Sequence, residues 1–204
     1  KKETLLSLIQ AVNEVEGIKR IRLGSLEPGI VTEEFAKELA AMPKVCPHFH
    51  LSLQSGCDAT LERMNRRYRS AEYKERCELL RKYFGNPALT TDVIVGFPME
   101  SEEDFHASYD FVKDIHFYET HIFKYSRRHG TKAAVMDGQL TEAVKAVRSD
   151  KMLELHQIRA TEYENSLLGQ KAEVLLEEKV EIEGADYYLG HSREYVLSLI
   201  HISE

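Results

Sequence analysis

Cysteine is scarce in this 204-residue chain. The three present, Cys46, Cys57 and Cys77, are odd in number and irregularly spaced, which excludes a disulfide framework and points to a reducing compartment. None falls in a CxxC or CxxxCxxC pattern. Long apolar runs are also missing, so no segment reads as a membrane span. The Lys1-Lys2 start leads into an amphipathic pattern (Leu5, Leu6, Leu8, Ile9, Val12, Val15) and not a signal-peptide core. Together these absences predict a cytoplasmic protein with no membrane partner. Positive charge is in deficit, with a net charge of -7, so a nucleic-acid partner would have to be met by a local basic patch. The chain has no initiator Met and opens inside a helical pattern, and is therefore expected to be a piece of a longer protein.

What is present is a hydrophobic fraction of 43%, enough for a substantial core, arranged with a repeating rhythm. Helical spacing over Leu5 to Val15 stops at Gly17, and Ile18, Ile21 and Leu23 form a short strand ended by Pro28-Gly29. Thr32 caps a second helix. Phe49 to Gln54 is the next strand, followed by a short helix capped by Asp58 and a longer one from Ser70 to Gly85-Asn86-Pro87. LTTDVIVGFP is the most apolar strand, and Ser101 to Asp104 has the spacing of a capping box for a helix reaching about Ile115. ETHIFKYS is a fourth strand, and Thr141 opens a helix to about Leu168. Strands alternating with helices at this interval predict an α/β fold with a parallel sheet, part of an open β/α barrel over residues 1–168. Residues 169–204 change to alternating short strands around a Glu183-Gly184 turn, the start of a small antiparallel β domain with an exposed edge.

Strands buried on both faces of a parallel sheet read as continuous apolar runs. These do not. Phe49, Leu51 and Leu53 alternate with His50, Ser52 and Gln54; Ser25 and Glu27 finish the first strand; Asp92 shares parity with Ile94 and Gly96; and His121, Phe123 and Tyr125 share another. With the apolar parity facing helices, the polar one lines a lumen whose C-terminal end is where such folds build active sites. Ser25, Glu27, Ser52, Gln54, Asp92 and Tyr125 are the candidate pocket. The plainer reading is a set of polar groups that satisfy one another or bind water. Gly96-Phe97-Pro98, just before the Ser101 helix start, allows close backbone approach and free N–H groups for an anion, or is an ordinary turn.

Three other features carry rival chemistry. His48 and His50 share a strand face in the manner of a metal pair, but at the strand's N-terminal end they read as structural, so no metal ligand is assigned. Lys124 has the chemistry of a Schiff-base lysine in an aldolase, although its parity turns it towards the helices. Arg63, Arg66, Arg67 and Arg69 form one basic cluster and Arg127, Arg128, His129 and Lys132 another. On one rim they make the local patch an RNA needs; otherwise they are solvated faces paired with Glu62, Glu72 and Glu75.

RLGSLEP, LSLQSGCDATLERMNRRY, TDVIVGFPMESEEDF and HIFKYSRRHGTKAA, in this order and spacing, resemble the radical S-adenosylmethionine methylthiotransferases. The wording of the first two is most similar to the branch that modifies N6-threonylcarbamoyladenosine beside the tRNA anticodon. The resemblance implies the later part of the family's partial β/α barrel, followed by the start of its RNA-binding TRAM barrel; the last eight residues, LSLIHISE, depart from that continuation. It implies S-adenosylmethionine and 4Fe-4S clusters as cofactors, tRNA as partner, and sulfur and electron donors. The family's cluster-binding cysteine loop has no counterpart here, and no cluster role is carried onto Cys46, Cys57 or Cys77. By position, the resemblance implies that Ser25, Glu27, Ser52, Gln54, Asp92, Gly96 and Tyr125 hold the cofactor and that Arg66, Arg67, Arg127 and Arg128 meet tRNA. A related enzyme acting on isopentenyladenosine or on a ribosomal-protein aspartate, and a non-catalytic RNA-binding module, are the alternatives.

Overall fold

The computed structural model describes residues 4–201. The Lys1-Lys2 start and the last three residues of LSLIHISE lie outside them. In chain order the elements are α1 (Leu5–Glu14), β1 (Ile21–Leu26), α2 (Glu33–Ala40), β2 (Val45–Leu51), α3 (Asp58–Arg63), α4 (Ser70–Phe84), β3 (Ala88–Val95), α5 (Glu102–Ile115), β4 (Glu119–Lys124), α6 (Glu142–Ser166), β5 (Val174–Ile182), β6 (Ala185–Ser192) and β7 (Leu197–His201).

The expected caps at Thr32 and Ser101 form. Thr32 Oγ1 accepts from the Phe35 N–H, and Ser101 and Asp104 cap each other reciprocally. Asp58 does not cap its own helix: it is the first residue of α3, and its carboxylate accepts from the Ser70 N–H at 2.7 Å, so it caps α4. An Asx side chain reaches whichever orphan N–H the tertiary fold brings nearest, and here that donor is twelve residues on.

Strands β1 to β4 form one parallel sheet in sequence order, open at both edges. Helices pack on one face, over Phe49, Leu51, Leu53, Leu89, Val93 and Val95, all buried. Tyr73 of α4 is fully buried there, and its hydroxyl donates to the Leu51 carbonyl at 2.8 Å. The β1 ladder is irregular on both sides of Leu23, which lets Leu23 and Leu26 both reach the core.

Strands β5 to β7 form a separate antiparallel sheet. Glu183 and Gly184, both at positive φ, make the β5–β6 turn. This sheet meets the larger one at the N-terminal ends of β1 and β2. Arg193 donates to the carbonyls of Pro43 and Val45, and Arg20 donates to those of His191 and Glu173. Tyr195 fills the joint, sandwiched between the Arg22 guanidinium at 3.9 Å and the stacked His191 ring at 4.1 Å, with buried His48 against its edge. No helix among the described residues is long and apolar enough to cross a membrane.

Candidate functional site

The sheet face away from the helices is layered. At its floor are His48 and Tyr195. One step up β2, the ring of His50 lies beside Thr90, Asp92 and His121. Above that, the hydroxyls of Ser25 and Ser52 are hydrogen-bonded to each other at 2.8 Å. At the top the chain turns sharply at Gln54, which has φ 70°. A left-handed conformation costs a side-chain-bearing residue ~1–2 kcal/mol. Strand β3 holds it there from both sides: the Gln54 N–H donates to the Asp92 carbonyl and the Gln54 carbonyl accepts from the Ile94 N–H, each at 2.8 Å. Below the turn, the Tyr68 hydroxyl sits 2.8 Å from the carbonyls of Ser52 and Leu53, and burial pushes its pKa up to about 12, so it stays a neutral donor. Beyond Gln54, Gly56 lies against α5, its N–H donating to Ser108 Oγ at 2.9 Å.

Two cavities open at the C-terminal ends of the strands. One, of about 430 Å³, is lined by Gln54, Asp92, Ile94, Phe97, Tyr125 and Arg128 among others, a size in the ~300–1,000 Å³ range of small-molecule sites. The Tyr125 ring packs edge-on against Phe97, with the Lys145 ammonium 5.5 Å from its centroid. Among the described residues its buried hydroxyl has no hydrogen-bond partner. The second cavity, of about 510 Å³, is lined by Glu27, Asn65, Arg66, Arg67, Glu72 and Arg76 among others. Glu27 is therefore not with the other predicted pocket residues; it faces Arg66 at 3.7 Å. The irregular β1 ladder accounts for this, since strict alternation fails beyond Leu23.

Gly96 is at φ 73°, and its N–H donates to both carboxylate oxygens of Glu100 at 3.1 and 3.2 Å. The Lys145 stem lies against it, so the close approach that glycine permits is used inside the protein. Glu100 is buried and paired with Arg148 of α6 at 2.7 Å; burial raises its carboxyl pKa despite that partner. Of the basic residues, Arg128 lines the first cavity, Arg66 and Arg67 the second, and Arg127 is exposed. Arg63 and Arg69 have protein partners, Arg63 with Asp104 at 2.5 Å and Arg69 with Glu62 at 3.2 Å. Lys124 is exposed and contributes to the first cavity's lining, whereas alternation turned it to the helices.

The cysteines do not make a cluster site. All are buried and apart: burial pushes the Cys77 thiol up to about 12 and raises that of Cys46, and Cys57 Sγ lies 3.4 Å from Asp104. Among the described residues the one group of three metal-ligating side chains is His50, Asp92 and His121. Sequence reading set His50 beside His48; the fold sets it beside two other strands.

Residues 2–112 match the model of the Radical SAM superfamily. The chain belongs to that superfamily. Membership implies S-adenosylmethionine and an iron–sulfur cluster as its cofactors, and makes the Schiff-base reading of Lys124 unsupported. Coproporphyrinogen III oxidase from Escherichia coli, described as a radical SAM enzyme, shares the fold at TM-score 0.52 and 15% identity, over 78% of this chain and 36% of that one. Threonylcarbamoyladenosine tRNA methylthiotransferase MtaB of Bacillus subtilis (strain 168) is 38% identical over 89% of this chain and 41% of its own length. tRNA-2-methylthio-N(6)-dimethylallyladenosine synthases of Mycobacterium ulcerans (strain Agy99) and Moorella thermoacetica are 39% and 41% identical, each over 83% of this chain and 32% and 38% of theirs. The chain thus spans well under half the length of these relatives.

The first cavity has chemistry compatible with part of S-adenosylmethionine: the Tyr125 hydroxyl and Gln54 amide offer hydrogen bonds, beside the apolar walls of Ile94 and Phe97. The buried, separated thiols do not fit an iron–sulfur cluster.

Proposed function

We propose that this chain forms the cofactor- and substrate-binding wall of a tRNA methylthiotransferase that acts at C2 of N6-threonylcarbamoyladenosine next to the anticodon. Residues 1–168 are its barrel portion and residues 169–204 the beginning of a TRAM-like domain. The reading rests on one observation: a cavity at the strands' C-terminal ends, with an unpartnered buried Tyr125 hydroxyl, in a chain similar over most of its length to enzymes of this name. When bound, S-adenosylmethionine would supply the hydrogen-abstracting radical on one-electron reduction by the family's iron–sulfur cluster, for which this chain's buried cysteines are not ligands, and this chain would supply binding and orientation.

In this reading Tyr125 and Gln54 hydrogen-bond the cofactor, Ser25 and Ser52 form the polar floor beneath it, and Asp92 borders it. Glu27 lines the second cavity, and Gly96 and Glu100 hold the turn that carries Phe97, one of the first cavity's walls. Arg66, Arg67, Arg127 and Arg128 meet tRNA phosphates. The threonylcarbamoyl substrate is favoured by the wording of RLGSLEP and LSLQSGC; the dimethylallyladenosine relatives make that base the competitor.

Calorimetric titration of S-adenosylmethionine into the chain tests the cofactor wall. Tyr125→Phe and Gln54→Ala are each expected to weaken binding ~5-fold, the worth of ~1 kcal/mol for one hydrogen bond. Unchanged affinity in both overturns the assignment. Binding of anticodon stem-loops bearing threonylcarbamoyl-, dimethylallyl- or unmodified adenosine tests the substrate. Arg66→Ala and Arg128→Ala should each lower the salt slope by ~1, and equal affinity for all three loops would remove the substrate choice.

A further inference from the structure

We propose that His50, Asp92 and His121 form a binding site for a divalent transition-metal ion such as Zn²⁺, set in the open sheet face beneath the cofactor cavity. This goes beyond the proposed transferase reading and does not depend on it.

The three side chains come from three neighbouring strands, β2, β3 and β4. Register brings them together: Asp92 pairs with His121, and His50 pairs with Thr90, two residues before Asp92 on the same face. One ligand atom from each lies within 4.8 Å of the others. Two ligand atoms bound to a tetrahedral zinc at ~2.0–2.1 Å are ~3.4 Å apart. His50 Nε2 and Asp92 Oδ2 already stand at 3.4 Å, long for a hydrogen bond but right for two ligands of one ion. His121 is half-exposed, and its ring stacks on that of His50 with centroids 5.7 Å apart.

The surroundings have the form that metal sites require. A ligating imidazole usually gives its other nitrogen to an outer partner that fixes its orientation. His50 Nδ1 is 2.9 Å from Thr90 Oγ1, which leaves Nε2 for the ion. His121 Nδ1 faces the Glu119 carboxylate at 3.9 Å. Among the described residues no donor hydrogen-bonds the Asp92 carboxylate, and its one ion-pair contact is His50 Nε2 at 3.4 Å. Two imidazoles and one carboxylate suit Zn²⁺, and equally Fe²⁺, Co²⁺ or Ni²⁺. Asp92 also lines the cavity above, so an oxygen or nitrogen of a molecule bound there would be the nearest outside group to complete the set.

Titrating Co²⁺ into the metal-free chain, with Zn²⁺ competition and calorimetry, tests this. The expected result is one ion per chain, visible d–d bands of a four- or five-coordinate site, and no thiolate charge-transfer band. His121→Ala, at an exposed position where folding is not at risk, should weaken binding at least ~100-fold, and Thr90→Val ~10-fold through loss of the outer partner. His106→Ala, an exposed histidine elsewhere, should change nothing. Binding that survives both His121→Ala and Asp92→Asn, or that shows a thiolate band, overturns the proposal and assigns the ion to scattered imidazoles or to cysteine. The ~5-fold weakening of S-adenosylmethionine binding expected in Tyr125→Phe, with Co²⁺ binding intact, would separate the two sites.

Discussion

Gly56→Ala probes how the Gln54 elbow is held. A methyl at position 56 would stand 2.6 Å from Phe111 Cβ and 2.9 Å from the Ser108 carbonyl oxygen, against ordinary contacts of ~3.5–4.0 Å. Helix backbone cannot yield as a flexible side chain does, so α5 must retreat by ~1 Å or the elbow must lift. Overpacking of this kind costs ~1–3 kcal/mol. The Gly56 N–H bond to Ser108 Oγ is in the same contact, and leaving that buried donor unmet adds ~1–3 kcal/mol. The two are not independent, so the expected loss is ~2–4 kcal/mol, a large share of the ~5–15 kcal/mol that holds a domain together. The chain has no tryptophan, so urea unfolding is best followed by far-UV circular dichroism. Gly24→Ala is the control, because its added carbon meets nothing within 4 Å, and it should stay within ~0.5 kcal/mol. A Gly56→Ala midpoint equally close to the parent would refute the close-packing account of the elbow.

Arg148→Met should cost ~3–5 kcal/mol by leaving the buried Glu100 carboxylate without its cation. In thermal melts the double variant Glu100→Gln/Arg148→Met should recover much of that loss; no recovery would mean that Arg148 acts mainly by packing. Among the described residues buried His48 has no partner on Nδ1; burial, with the nearby Arg22 cation, lowers its pKa from 6.5 to about 4. The folded state therefore binds fewer protons than the unfolded chain between those values. Stability from this group is full above about pH 6.5 and is lost as pH falls towards 4, by up to ~3 kcal/mol. Urea unfolding from pH 4 to 7 should show that slope, and His48→Leu should flatten it; an identical slope in the variant would exonerate His48. Gly190→Ala should loosen the small sheet alone, since a side chain there strikes the Leu175 carbonyl beside the β5 irregularity. Hydrogen exchange should rise in β5 and β6 and stay unchanged in β2 and β3.

Much of the framework was legible because it depends on local periodicity. The βα rhythm, the Thr32 and Ser101 caps and the alternation of His50, Ser52 and Gln54 against Phe49, Leu51 and Leu53 need only neighbouring residues, and the structure has all of them. What was hidden depends on register. The β1 irregularity that parts Glu27 from Gln54 left one trace, the three-residue spacing of Leu23 and Leu26 around Gly24, which strict alternation cannot put on one face. Asp58 and Arg63 find partners twelve and forty-one residues on, Ser70 and Asp104, that local spacing cannot anticipate. His50 was read with His48 as a structural pair. Only the pairing of Asp92 with His121 shows that three strands bring ligands to one point.

The placement of the small sheet bears on how an RNA would be met. Its contacts through Arg20, Arg193 and Tyr195 are all with the N-terminal ends of β1 and β2, whereas Arg66, Arg67 and Arg128 stand at the cavities by the C-terminal ends. Six residues of extended strand cover ~20 Å, so the two candidate RNA surfaces are separated by about the length of β1. A single phosphate run on the rim does not reach both. An RNA that engages both must pass along the edge strand β1, where it would meet Arg20 and Arg22, whose guanidinium groups are already committed to Glu173 and Tyr195. In the proposed reading the charge left for phosphate contacts is therefore concentrated at the rim, and the small sheet packs against the N-terminal ends of β1 and β2.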